Sequence, residues 1–428
     1  MNLKECLFRM KGRLRELWQH KVFRYALLVH GFYFIFGTIL TLSFFRDQND
    51  FLVYYNVGKV FIHDLNDLYN PANYNWPFRY FPLSAILFVP FYILGFELGF
   101  ITFNTINLIL NVLICIILYK IVILIRGDDH EKDDKRVILY ISLFLMSIPN
   151  FFNYILGQIN LYVTLLILLS LLIYFKYDQT KWQFIASLIL GISIIVKPIT
   201  IFMIPFLIMI NYDFKKESLK FNFSNSLIRL VGVIFPLSLN FIIFLIFPSL
   251  LEDFIAINFT GVDTIYINHS FSATKIIENL LFLIGFSEEQ LLNYQLLIFL
   301  STLLIIAGLS FFIYVFSRLN SWSLIFGYSF GILIMLIAYF DTWDHHLLIL
   351  TPMLVILIFN LPRDSKITNN IIKPSLFFFS FFDLAFMGIW FLTYDYFPIN
   401  FVPTIFLILV FYGISKYCLK KDGDYKKG

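Results

Sequence analysis

The sequence predicts an all-α polytopic membrane protein, one domain over residues 1–428, built as a bundle of about twelve transmembrane helices. Three observations carry this. The chain is 59% hydrophobic, above the roughly 45–50% of soluble domains, and its mean hydropathy is +0.80. Apolar runs near the roughly 20 residues that cross a bilayer recur along its whole length. The basic residues also sort to one side: with the N-terminus inside, only Arg46, Lys59, Arg79, Lys197 and Lys275 of the 32 Lys and Arg fall outside, leaving 27 within. Such an excess is the positive-inside signature.

In chain order, spans are expected near 23–45, 100–125, 137–156, 160–175, 184–196, 198–211, 227–248, 294–317, 322–340, 346–360, 373–394 and 398–417. The pair around Lys197-Pro198 reads as one kinked span or two half-spans. Residues 82–96 (PLSAILFVPFYILGF) are apolar but carry two prolines and a glycine. They are expected as a re-entrant or interfacial helix. A full crossing there would put Arg126 to Arg136 on the outer side, against the charge asymmetry.

Outer loops are expected at about 46–99 and 249–293, the second helical after Ser272, with a charged cytosolic tail at about 418–428. The apolar run after Lys21 is too long for a signal-peptide core and lacks a small-residue cleavage site. Both termini are expected to be cytoplasmic. Cys6, Cys115 and Cys418 have no disulfide or zinc spacing, and no basic stripe suggests nucleic acid. Abundant Phe, Ile, Asn and Lys, with no retention signal at the end, point to a prokaryotic cell membrane.

Chemistry is expected in the first outer loop. Asp50 opens a stretch whose Phe51, Val53, Tyr54, Val57, Val60 and Phe61 share roughly one helical face, as in a helix lying along the interface. A carboxylate near lipid has a raised pKa and suits a general base. The other reading is that Asp47 and Asp50 cap that helix.

Lys197 sits in the apolar run GISIIVKPITIFMIPF, where a charge costs about 2.5–3.5 kcal/mol. It reads as the ligand of an anion, a lipid phosphate being the natural one, or as a lysine snorkelling from a helix end. Pro198 frees backbone carbonyls there, which suits a cavity wall.

Asp341-Thr342-Trp343-Asp344-His345-His346 closes an outer span end. Adjacent helical residues diverge by about 100° and rarely share a metal ion. His345 and His346 read better as donors to a phosphate or sugar hydroxyl, or as part of an interfacial aromatic belt. Gly157-Gln158-Ile159-Asn160 reads as a tight turn between spans, functional or merely structural. Arg79, ahead of Tyr80-Phe81-Pro82-Leu83, is an outer arginine able to bind phosphate. Asn258-Phe-Thr260 and Asn268-His-Ser270 match glycan acceptor tripeptides. All the chemical features fall on the outer face of one topology.

That ordered set, from Asp50 to Pro352, resembles the GT-C superfamily of polytopic glycosyltransferases, and within it family 87, the polyprenol-phosphate-mannose-dependent mannosyltransferases. Asp50 matches the early catalytic Asp. Arg79 to Leu83 matches an aromatic-Pro-Pro-Leu stretch, with Phe81 in place of the first proline. Gly157, Gln158 and Asn160, then Lys197-Pro198, then Trp343-x-His345-His346 match later motifs. Asp47 and Asp50 also form the spaced acidic pair of related mannosyltransferases, leaving open which is the base.

The resemblance implies a GT-C bundle with interfacial helices in its first outer loop. It also implies inverting transfer of a hexose, mannose by family, from a polyprenyl or dolichyl phosphate to a lipid-linked or glycan acceptor. Lys197, Arg79, His345 and His346 would meet the departing phosphate. Asp47, Tyr54, Tyr55, Tyr80, Gln158, Asn160, Asp341 and Trp343 would line the substrate site. A lipid phosphate leaves readily once cations neutralise it, so no metal and no other cofactor is expected. The alternative class is a lipid or solute transporter or flippase. Inverted repeats are common there, and none is visible in this chain.

Overall fold

The computed structural model describes residues 12, 14–127, 130–259, 270–318, 324–382, 385, 388 and 397–420 as an all-α polytopic bundle with one small hairpin. Among the described residues, six helical segments are long and apolar enough to cross a membrane: Lys21–Phe44, Phe96–Arg126, Lys135–Leu156, Phe223–Ile246, Glu288–Val315 and Val402–Leu419, the third of them broken at Met146 and Ser147 into His130–Leu145 and Ile148–Leu156. Outward faces on several of them are apolar, with Leu28, Phe32 and Ile35 exposed on the first, Phe241 and Leu245 on the fourth, and Leu304 and Ile305 on the fifth. Water penalises such continuous faces, whereas hydrocarbon does not. The apolar helix Leu324–Ala338 is buried at every position, as is 347–359, and these two form the centre of the bundle.

Six of the expected dozen spans thus reach full length among the described residues. The other apolar helices, Pro82–Ile93, Asn160–Lys176, Thr180–Val196, Pro198–Leu207, Leu324–Ala338 and Asp344–Asn360, have 10–17 residues. That is at or below the about 17 residues a crossing needs. The segment at 82–96, expected as a re-entrant or interfacial helix, is short. A 3-10 stretch, Pro82–Phe88, runs into a single α-turn, Val89–Ile93, and packs on the Asp50–His63 helix. Gly58 permits that approach, since a Cβ there would lie 2.7 Å from the Phe88 carbonyl oxygen.

At Lys197 the chain leaves helical geometry, with φ −148° and ψ 102°, and Pro198–Leu207 continues as a 3-10 helix. Proline disfavours the α conformation of the residue before it, which is why the break falls on the lysine. The expected span at 198–211 is corrected in its last residues. Ile210–Asp213 is a strand paired antiparallel with Ser218–Phe221, and Asp213 holds the turn through the Lys215 N–H at 2.9 Å and Lys220 at 2.7 Å. Helices Pro248–Phe259 and Ala273–Leu283 follow, the latter starting after Ser272 as expected, with the Ser272 side chain as its cap. Residues 260–269 with Asn268, most of the expected span at 373–394 beyond residue 382, and the charged tail after residue 420 lie outside the described residues.

Candidate functional site

The helix Asp50–His63 begins at Asp50, but neither acid caps it. Asn49, buried, accepts the Leu52 N–H at 2.9 Å and donates to the carbonyls of Phe45 and Arg46 at 2.7 and 2.8 Å. The capping reading of Asp47 and Asp50 is therefore corrected, and the Asp50 carboxylate is released from that duty. Asp47 is exposed, and its backbone carbonyl takes the Asn75 amide at 2.8 Å.

Asp50 is partly exposed and receives a hydrogen bond from Gln158 Nε2. Tyr54, one turn along the same helix, donates to Gln158 Oε1 at 3.3 Å and shares a 3.0 Å hydroxyl contact with Tyr80. Tyr55 points elsewhere, its ring packed edge-on against Tyr92 and Phe96. A 100° step per residue separates the two tyrosines, so only Tyr54 joins the cluster. Burial pushes the Asp50 carboxyl up to about 6; the Gln158 hydrogen bond and the Lys197 charge oppose this, while Asp341 adds to it.

Gln158 reaches Asp50 because of Gly157. That glycine ends the Ile148–Leu156 helix in left-handed conformation, φ 65° and ψ 48°. A Cβ on it would sit 2.6 Å from the Phe51 Cβ and 3.0 Å from the Phe100 ring. Gly157→Ala is expected to lose roughly 1–2 kcal/mol from the backbone alone, with the clash in addition. A depressed apparent melting temperature in detergent checks this; wild-type thermal stability would contradict it.

Two residues on, Asn160 starts the next helix and is fully buried. Its Oδ1 accepts from Lys197 Nζ at 2.6 Å, and its Nδ2 donates to the His345 carbonyl at 3.1 Å. One turn therefore holds the carboxylate through Gln158 and the ammonium through Asn160. Lys197 is buried, 4% exposed, rather than snorkelling from the bundle. Asp50 and Lys197 lie within electrostatic reach of each other, and both of Asp341.

The remaining residues close the same end. Arg79 Nη1 pairs with Asp341 Oδ2 at 2.8 Å and donates to the Tyr339 hydroxyl at 3.1 Å. Its guanidinium lies 5.7 Å from the centre of the Phe340 ring. The Trp343 indole donates to the other Asp341 oxygen. His346 Nδ1 accepts the Trp343 N–H at 3.2 Å, so in the neutral ring the proton sits on Nε2. His345 and His346 are both buried, with ring centroids 4.4 Å apart. The structure thus gathers Asp50, Tyr54, Arg79, Tyr80, Gln158, Asn160, Lys197, Asp341, Trp343, His345 and His346, and leaves out Tyr55 and the exposed Asp47.

Sequence reading missed Tyr339 as an Arg79 partner and a buried pair nearby, Lys275 and Glu278. Their i,i+3 spacing was visible, but their burial was not.

The sequence model of glycosyltransferase family 87 matches residues 78–339. That stretch takes in Arg79, Tyr80, Gln158, Asn160 and Lys197, while Asp50 and the Asp341–His346 segment flank it. No curated protein matches the chain at a significant level.

Proposed function

The chain belongs to glycosyltransferase family 87, and on that premise we propose that it moves a hexose, mannose first among candidates, from a polyprenyl phosphate to a hydroxyl of a lipid-linked or glycan acceptor. Asp50 takes the acceptor's proton. The freed oxygen attacks the anomeric carbon as the bond from that carbon to the phosphate oxygen breaks, with inversion. The sugar–phosphate diester carries one negative charge, and the departing monoester gains a second. A cation beside it therefore binds the transition state more tightly than the ground state. Lys197 is the side chain placed to do this, with the His346 Nε2–H as a second donor. Arg79, already paired with Asp341, orients the phosphate-facing wall.

The observation that carries this reading is the turn that holds Asp50 through Gln158 and Lys197 through Asn160. Base and cation are fixed relative to each other by two side-chain amides of one turn, Gln158 and Asn160. The charge asymmetry of the loops supports a site on the extracytoplasmic face, and the composition supports a prokaryotic host membrane. Chemistry carried by these side chains needs no further cofactor.

The test is to incubate purified protein in bilayers with radiolabelled polyprenyl-phosphate hexoses and extracted membrane glycolipids. A new labelled glycoconjugate supports the proposal. Movement of the donor across the bilayer without a new bond would support a flippase instead.

The carboxylate also sets a pH dependence. Asp50 must be ionised to accept a proton, and its pKa is raised to about 6. Transfer is expected to fall roughly tenfold per pH unit below about 6 and to level off above it. A kcat/KM profile flat from pH 5 to 8 would remove Asp50 as the base.

A further inference from the structure

Far from Asp50, the bundle buries a cation with no counter-charge. Asn160 opens the Asn160–Lys176 helix at the candidate site, and Tyr174 lies in its last turn, about 20 Å along the axis. Arg229, on the Phe223–Ile246 helix, is 5% exposed and sets its guanidinium 4.7 Å from the centre of the Tyr174 ring. Its Nε donates to Gln183 Oε1 at 2.8 Å. Among the described residues no carboxylate meets it. Neither Nη1 nor Nη2 donates a hydrogen bond, and Nη1 is shut off from solvent.

The surrounding hydroxyls do not compensate this charge. Tyr174 donates to Ser187, whose own proton goes to the Gln183 carbonyl at 3.0 Å. One turn back from Tyr174, Ser170 accepts from the Tyr328 hydroxyl at 2.9 Å and donates to the Ala186 carbonyl at 2.7 Å. The helices leave the arginine no slack. A Cβ on Gly232 would lie 2.7 Å from the Phe184 carbonyl oxygen, and one on Gly191 2.5 Å from that of Val233. A buried, unpaired charge is costly, and the face of one tyrosine ring is a weak partner beside a full anion. The unused Nη1–Nη2 edge is the planar fork that matches two oxygens of a phosphate.

We infer that Arg229 anchors a second, non-catalytic anion site, at the end of the bundle that the loop charges read as cytoplasmic. Its ligand is a phosphate group, carried by an anionic lipid headgroup or free in solution. The loop leading to Gln183 suits the headgroup level. Lys176 and Lys181 are exposed there beside the Tyr177 and Trp182 rings, stacked 4.4 Å apart, with Asp178 the one acid between them. The site plays no part in the sugar-transfer scheme and does not depend on it.

The full-length protein, purified in maltoside micelles without phosphate, is titrated separately with phosphatidylglycerol and with inorganic phosphate while its apparent melting temperature is followed. Wild type is expected to gain several degrees, saturably, with at least one probe, because a ligand of the folded state stabilises it by mass action. A response to phosphatidylglycerol alone assigns a lipid headgroup; a response to inorganic phosphate assigns free phosphate. Arg229→Met keeps most of the bulk and is expected to lose the response. Arg229→Lys keeps the charge without the fork and is expected to need about tenfold more probe; it carries the test if Arg229→Met does not fold. Lys176→Gln/Lys181→Gln is expected to respond as wild type, which separates a built site from general surface attraction. A wild type that answers neither probe, an Arg229 variant with the wild-type response, or a lysine double variant without it overturns the inference.

Discussion

Asp50→Asn is expected to lower kcat by roughly 10²–10⁴-fold, the usual contribution of a positioned general base, while the protein inserts and elutes as wild type. The substitution is nearly isosteric. The Asn oxygen can still accept from Gln158 Nε2, so the local hydrogen bond survives. Helix capping is untouched because Asn49 supplies it. The loss would therefore report on proton transfer rather than on folding. Asp47→Asn provides the internal comparison. Asp47 is exposed and outside the gathered cluster, so that variant is expected to keep near-wild-type kcat. Equal losses at both positions would mean that the acidic pair works as a unit. A fully active Asp50→Asn would remove it from the mechanism.

Lys197→Met is expected to lower kcat/KM for the donor about 10- to 100-fold, with most of the loss in kcat because the phosphate gains its second charge only as it departs. A hydrogen bond to a charged group contributes about 1.5–3 kcal/mol, and each 1.4 kcal/mol is a factor of ten. Stability should not fall in parallel. Removing a buried ammonium relieves its desolvation cost, and Met fills similar space. The one new defect is the Asn160 Oδ1 left without its donor. Lys197→Met/Asn160→Leu removes that atom as well, at the cost of the Asn160 Nδ2 bond to the His345 carbonyl. Donor kcat and KM are read by varying the lipid phosphate at saturating acceptor. An unchanged kcat/KM would assign Lys197 to the architecture of the helix break and leave the phosphate to other donors.

Much of the site could be read in the sequence because membrane insertion makes polar residues conspicuous. Lys197 stood alone in an apolar run, and burying it at the helix break required a partner, which proved to be Asn160. Gly157 announced a turn, and its left-handed backbone delivers Gln158 to Asp50. Pro198 marked where helical geometry ends.

Pairings between distant segments were not legible. Arg79 and Asp341 are separated by 262 positions, and no local pattern couples them. Nor could hydropathy tell Tyr54, turned into the cluster, from Tyr55, packed on Tyr92 and Phe96. In a bilayer both faces of a helix are apolar, so periodicity loses the contrast that orients helices in water. The same loss hid Lys275 and Glu278, whose spacing suits a solvated helix face equally well. Span lengths failed for a different reason. Prolines and polar turns cut apolar runs into helices of 10–17 residues, which hydropathy windows join or stretch.

The central claim is that one pocket brings a lipid phosphate to Lys197 while Asp50 waits across the reacting carbon. Determining the structure of the full-length protein in nanodiscs with a polyprenyl phosphate bound tests it most directly. The account predicts phosphate density within hydrogen-bond distance of Lys197 Nζ, with the Asp50 carboxylate open to the same cavity. Phosphate density at the opposite end of the bundle, or a wall of packed side chains between it and Asp50, would contradict the account.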